Sequence, residues 1–150
     1  MAPPRPQSVL FACTFNTVRS PMAEGIARCY FGREIYFASA GLKRGEPDPF
    51  AIAAMEEIGV DISRHKPHTF EDLEDSNFDL IVTLSPEAHH KALEFTRAMA
   101  VDVVYWPTPD ATAAIGHGSR EAVLDAYRDV RERLTKRITA LLGRGPVGEG

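Results

Sequence analysis

The sequence predicts an α/β protein in which a parallel sheet is covered on both faces by helices. Three observations carry that expectation: four short apolar runs rich in strand formers, a segment of helical apolar spacing after each of them, and helix-start signals at the junctions. Strands alternating with helices at this spacing need right-handed crossovers, and sheets of this kind bind ligands beyond the carboxyl ends of their strands. Chemistry is therefore expected in the loops that follow residues 12, 40, 84 and 106.

The first run, 8–12, breaks into a polar loop before Ser20-Pro21-Met22-Ala23-Glu24. Proline suits the first turn of a helix, where its missing N–H has no partner to lose, while Ser20 can cap and Glu24 suits the positive end of the dipole. This helix is expected to reach about residue 31, with Gly32 ending it. A second strand is read over 35–40, before Gly41, and Asp48-Pro49 opens a helix in which Ile52, Met55 and Ile58 recur at helical spacing up to Gly59. Residues 60–77 are polar and irregular, apart from one short helix around 70–73. The third strand covers 78–84 and its helix 86–99, and the fourth strand covers 101–106. A long loop over 107–118 leads to the last helix, 119–142, in which Val123, Tyr127, Val130, Leu134, Ile138 and Leu141 form one stripe.

A chain of 150 residues with 44% apolar and 25% charged content is expected to form one domain over 1–150, with flexible ends at 1–7 and 143–150. A net charge of −4 argues against a nucleic-acid or anionic-membrane partner, because both need clustered positive potential. No run approaches the ~18 apolar residues of a membrane span, and residues 1–7 lack the apolar centre of a signal peptide, so a cytoplasmic location is expected. The two cysteines, Cys13 and Cys29, form no zinc-type spacing. The histidines (His65, His68, His89, His90 and His117) match no helical metal motif and are expected in loops or in solvent. Neither a metal nor a cofactor is expected.

The loop Cys13-Thr14-Phe15-Asn16-Thr17-Val18-Arg19 sets a thiol and a guanidinium between a strand and a helix N-terminus. A loop curled around an oxyanion can aim successive backbone N–H groups inward; the helix dipole adds positive potential, and arginine can give two parallel charge-assisted hydrogen bonds. The same field favours thiolate, the reactive form of cysteine, so Cys13 is expected to act as nucleophile. Ser20 can donate its hydroxyl to the sulfur or serve as a plain helix cap. Cys29, inside the first helix, is expected to be a buried and inert cysteine.

These residues resemble a family. Val9-Leu10-Phe11-Ala12-Cys13, then Asn16, Arg19-Ser20-Pro21 and Ala23-Glu24, are similar to the signature of low-molecular-weight protein tyrosine phosphatases and the related thioredoxin-coupled arsenate reductases. Ser39-Ala40-Gly41, Asp61-Ile62-Ser63, Val82-Thr83-Leu84 and Trp106-Pro107-Thr108-Pro109-Asp110 follow in the family's order, so most of the chain is covered. The resemblance implies a flavodoxin-like fold with a four-stranded sheet, Cys13 as nucleophile, Arg19 as phosphate clamp, Ser20 as thiolate partner and Asn16 as the residue that shapes the loop. It also implies Asp110 as general acid and base; Asp after Pro109 is equally a common turn maker.

The sequence departs from the family pattern at several positions. Phe15 replaces a glycine, which implies backbone strain if glycine-type angles are kept, or a place for the ring on the pocket rim. Val18 stands where many members hold a second cysteine, Ala111 replaces a proline, and Thr112 and Ala113 replace aromatic residues. The resulting expectation is a phosphomonoester hydrolase acting on a phosphorylated protein or a small aryl phosphate and inhibited by phosphate or vanadate. Two other readings stand beside it. One is an arsenate reductase using an external thiol, since Cys29 lies ~13–15 Å along the first helix from its start and a disulfide needs Cα atoms within about 7 Å. The other is a non-catalytic flavodoxin-like module binding phosphate or FMN.

Overall fold

The computed structural model describes residues 5–73 and 77–143. Strands β1 (Ser8–Cys13), β2 (Tyr36–Gly41), β3 (Leu80–Thr83) and β4 (Asp102–Tyr105) alternate with helices α1 (Arg19–Phe31), α2 (Pro49–Glu56), α3 (Pro86–Phe95) and α4 (Arg120–Leu142). The strands form one parallel sheet in the order β2-β1-β3-β4, the flavodoxin-like arrangement. β1 is central, so its carboxyl end emerges between the loops that follow β2 and β3.

Period-two alternation along β1 divides the core. Val9, Phe11 and Cys13 join the cluster that includes Met22 and Ile26 of α1 and Tyr127, Leu134 and Ile138 of α4. Leu10 and Ala12 face the other cluster, with Phe70, Ile81, Ala88 and Ala92. Burial on both faces is why the strands read as continuous apolar runs and not as alternating ones.

Several expectations need correction. Ile52 and Ile58 are not the core face of α2: the buried residues are Ala51, Ala54 and Met55, and Ile58 is exposed. The helix stops at Glu56 and the chain turns through Gly59 at φ 77°, which carries Ile58 off the helical face. On α4 the stripe closes with Leu142, since Leu141 is only half-buried. A 3₁₀ turn at Ala111–Ala114 interrupts the segment read as loop. Ser20 is not the cap of α1, which starts one residue earlier with Val18 at the cap position and no side-chain cap. Glu24 lies beyond the first turn and has a different use, described below.

Of the ends read as flexible, 1–4 and 144–150 lie outside the described residues. Arg5 pairs with Glu34 at 3.0 Å and the Gln7 N–H donates to Asp79 at 2.7 Å. No described helix is long and apolar enough to cross a membrane.

Candidate active site

β1 delivers Cys13 to the start of the loop 14–18, and α1 begins immediately after it. Cys13 is buried, 2% exposed. The Ser20 hydroxyl lies 2.8 Å from Cys13 Sγ, and the Ser20 N–H donates to the same sulfur at 3.4 Å. Ser20 can do this because it sits inside the first turn of α1, where backbone N–H groups have no helical acceptor.

Asn16 organises the loop. It is the one described non-glycine residue with positive φ, 59°, a conformation that Asn tolerates better than most residues. Fully buried, its Nδ2 donates to Ser20 Oγ at 2.8 Å and to Ser39 Oγ at 3.0 Å. Its Oδ1 accepts the His68 N–H at 3.0 Å and meets His65 Nε2 at 2.9 Å. Because Ser20 Oγ accepts from Asn16, its own O–H is free to point at the Cys13 sulfur. His65 Nε2 faces two acceptors, the Asn16 carbonyl at 3.1 Å and Oδ1, so that nitrogen carries the proton. Burial lowers the His65 pKa, with the charge of Glu24 opposing, and this favours the neutral ring.

Behind this layer, Ser39 donates to Glu24 Oε1 at 2.6 Å and Glu24 Oε2 pairs with Arg28 at 2.8 Å. A chain of hydrogen bonds therefore runs from the sulfur through Ser20, Asn16 and Ser39 to a buried carboxylate. His65, Ser39 and Glu24 were not among the expected site residues; His65 lies 49 residues from Asn16, and no local motif joins them.

Gly41 explains how the loop lies against the end of β2. A Cβ there would sit 2.8 Å from the Asn16 nitrogen and 2.9 Å from the Thr14 carbonyl oxygen, both backbone atoms that cannot yield. The absence of a side chain lets Leu42 and Lys43 donate their N–H groups to that Thr14 oxygen at 2.9 and 3.0 Å, and Gly45 N–H reaches the Phe15 carbonyl at 3.0 Å. Phe15 takes no left-handed conformation, so the strain foreseen for it does not arise, and the residue is 48% exposed. Thr17 is half-buried, and Val18 is buried at the helix start.

The remaining members come from the loops after β3 and β4. Thr14 Oγ1 donates to Ser85 Oγ at 3.0 Å, which places Ser85 beside the phosphate-type loop. The half-buried Arg19 donates to the Thr108 carbonyl at 3.1 Å and so ties the end of the loop to the segment carrying Asp110. Asp110 is exposed and makes a turn: its Oδ1 accepts the Thr112 N–H at 3.0 Å and the Thr112 hydroxyl at 2.6 Å. Its Oδ2 has no such donor among the described residues.

Cys29 is exposed on α1, not buried, and both cysteines are free. Its helix ends beside a surface cleft of about 770 Å³ between Arg28 and Phe37, at the opposite end of the sheet from Cys13. His89 is neither in a loop nor fully exposed: half-buried on α3, it bonds Thr83 at 2.9 Å and stacks on Tyr105. No group of three or more His, Cys, Asp or Glu among the described residues could hold a metal ion.

A thiol at the end of β1, followed by a loop that closes on an arginine at the N-terminus of a helix, is an arrangement with the chemical groups an oxyanion needs. The chain belongs to the low molecular weight phosphotyrosine protein phosphatase family, which it matches over residues 8–144. It is 34% identical, over 91% of its length and 96% of the relative's, to a protein of Halalkalibacterium halodurans named arsenate reductase. Among solved structures it is similar to an arsenate reductase in the phosphate binding state (TM-score 0.74, 27% identity, covering 92% of this chain and 98% of that one). It is also similar to a low molecular weight protein tyrosine phosphatase from T. tengcongensis (TM-score 0.72, 26% identity, covering 93% of this chain and 99% of that one). Members of the family are thus enzymes, with both phosphatases and arsenate reductases among them.

Proposed function

We propose that the protein is a phosphomonoester hydrolase that works through a Cys13 thiophosphate, acting on phosphorylated proteins or small aryl phosphates and inhibited by phosphate or vanadate. The observation that carries this reading is the convergence of the Ser20 hydroxyl and N–H on the Cys13 sulfur, at the start of α1 and beside Arg19. Two donors and a helix N-terminus aimed at one sulfur hold it in place at the start of the loop for attack on a bound phosphoryl group. The thiolate attacks phosphorus while the bond to the leaving oxygen breaks, and Asp110 gives that oxygen its proton. Water then attacks phosphorus, Asp110 takes its proton, the P–S bond breaks and the thiolate returns. Arg19 and the loop N–H groups bind the equatorial oxygens of the transferring group.

Arsenate reduction is a second reading, favoured by the names of the relatives. Reducing As(V) to As(III) takes two electrons, hence two thiols. Cys13 has no intramolecular partner: Cys29 is exposed on α1, and the position after β3, beside Thr14, is occupied by the hydroxyl of Ser85. A reductase built this way would draw the second thiol from an external donor. Work of either kind suits a cytoplasmic enzyme, where thiols stay reduced.

The test is p-nitrophenyl phosphate turnover, with arsenate reduction measured alongside in the presence of an added thiol. Wild type is expected to hydrolyse the ester; Cys13→Ser should abolish turnover yet still bind vanadate. Arg19→Lys should lose at least ~100-fold, because an ammonium cannot reproduce the planar fork. Robust arsenate reduction without ester hydrolysis would transfer the assignment to the reductase class.

A further inference from the structure

The two donors of Thr112 fall on one oxygen of Asp110. Oδ1 receives the backbone N–H at 3.0 Å and the hydroxyl at 2.6 Å, whereas Oδ2 has no donor among the described residues. An N–H can only donate, so Oδ1 is held as an acceptor in every protonation state of the carboxyl. A proton on the group then belongs to Oδ2. The main chain leading to Asp110 is fixed as well, because Arg19 holds the Thr108 carbonyl at 3.1 Å. The carboxylate is exposed, and its charge is felt by the buried Tyr127 phenol, whose pKa is raised by burial, by the hydrogen bond to Asp48 and by the charges of Asp48 and Asp110.

We propose that Thr112 is a positioning residue for the acid step: by occupying Oδ1 it fixes the rotamer of Asp110 and leaves Oδ2 as the single oxygen that delivers the proton to the leaving group and later takes one from water. The inference rests on the reading of Asp110 as general acid and adds the group that aims it. Thr112 touches neither substrate nor sulfur in this scheme.

The experiment compares Thr112→Val, Thr112→Ser and Asp110→Asn, and the double variant Thr112→Val/Asp110→Asn, by pre-steady-state phenol release across aryl phosphates of differing leaving-group acidity. Thr112→Val, which keeps the shape and the N–H but loses the hydroxyl, is expected to slow release about tenfold for poor leaving groups and less for good ones. Thr112→Ser should restore most of the rate. In the Asp110→Asn background the Val substitution should add nothing. The inference is overturned if Thr112→Val slows all esters equally, if Ser fails to rescue, or if the two substitutions multiply, since each result marks a residue that only supports the turn. If Asp110→Asn itself leaves release and its leaving-group dependence unchanged, the acid assignment falls and Thr112 with it; if Asp110→Asn is slow while Thr112→Val is not, the assignment stands and this inference alone fails.

Discussion

Asn16 shows how much one residue holds in this site. Its amide makes four hydrogen bonds to Ser20, Ser39, His65 and the His68 backbone, and its φ of 59° closes the loop. Asn16→Ala should lose about 2–4 kcal/mol of stability, since buried donors and acceptors are left unpaired and Ala resists positive φ. Asn16→Gly keeps the backbone freedom, so urea unfolding of the two variants separates the contributions; equal and small losses would contradict this account. His65 adds a pH dependence. Burial lowers its pKa in the folded state, so its contribution is full above about pH 6.5, the ordinary histidine value, and declines as pH falls below it. The difference in thermal midpoint between wild type and His65→Gln should therefore shrink on acidification from pH 8 to 5.

At the level of elements, α2 and α4 are joined by a charged strut. Glu57, just past the end of α2, accepts from Arg128 and Arg131 of α4 at 2.7–3.1 Å, and Arg128 also pairs with Glu121 and Asp125. Hydrogen bonds from Arg128 and Arg131 lower the Glu57 pKa from 4.5 to about 2. A depressed carboxylate stabilises above its unfolded pKa, and the benefit disappears as pH falls from about 4.5 to about 2. Glu57→Gln should thus lower the thermal midpoint at neutral pH, with the gap to wild type closing in acid and narrowing in high salt, because Glu57 lies at the surface with the two arginines only partly buried, where salt screens the pair. A gap constant from pH 7 to 2 would mean that the strut acts by packing alone. The neighbouring Tyr127 hydroxyl donates to Asp48, which also caps α2 through the Phe50 and Ala51 N–H groups; the same carboxylate thus fixes the start of α2 and its contact with α4.

For the molecule as a whole, the sheet order decides which thiols and hydroxyls meet. β1 lies between β2 and β3, so Cys13 has Gly41 on one side and the Ser85 segment on the other, whereas Cys29 is carried away along α1. Peroxide should therefore drive Cys13 through sulfenic acid toward irreversible states, and thiol reductants should rescue only the earliest fraction. Ser85→Cys is expected to change that outcome by supplying a resolving thiol beside Thr14, seen as recoverable activity and an intramolecular disulfide by mass spectrometry. Full recovery of the wild type after long oxidation would refute the account of an unpartnered Cys13.

What could be read from the residues in order was whatever depends on neighbours in the chain. Alternation of strand and helix, the loop from Cys13 to Arg19, the helix opening at Asp48-Pro49, and the apolar stripe of α4 are local patterns with local physical causes. The fold class followed, because both faces of a parallel sheet must be buried by its crossover helices. Helix starts were less legible: Ser20 satisfies every local rule for a cap, yet its hydroxyl is drawn to Cys13 and Asn16, and α1 begins one residue earlier. Tertiary structure alone decided the support of the site. Asn16 meets His65 and Ser39, and Ser39 meets Glu24, because β2 runs beside β1 and the segment after α2 folds back over the loop, contacts spanning 15 to 49 residues that no short pattern encodes. It also decided that Cys29 faces solvent, since exposure depends on how elements pack and not on which residues compose them.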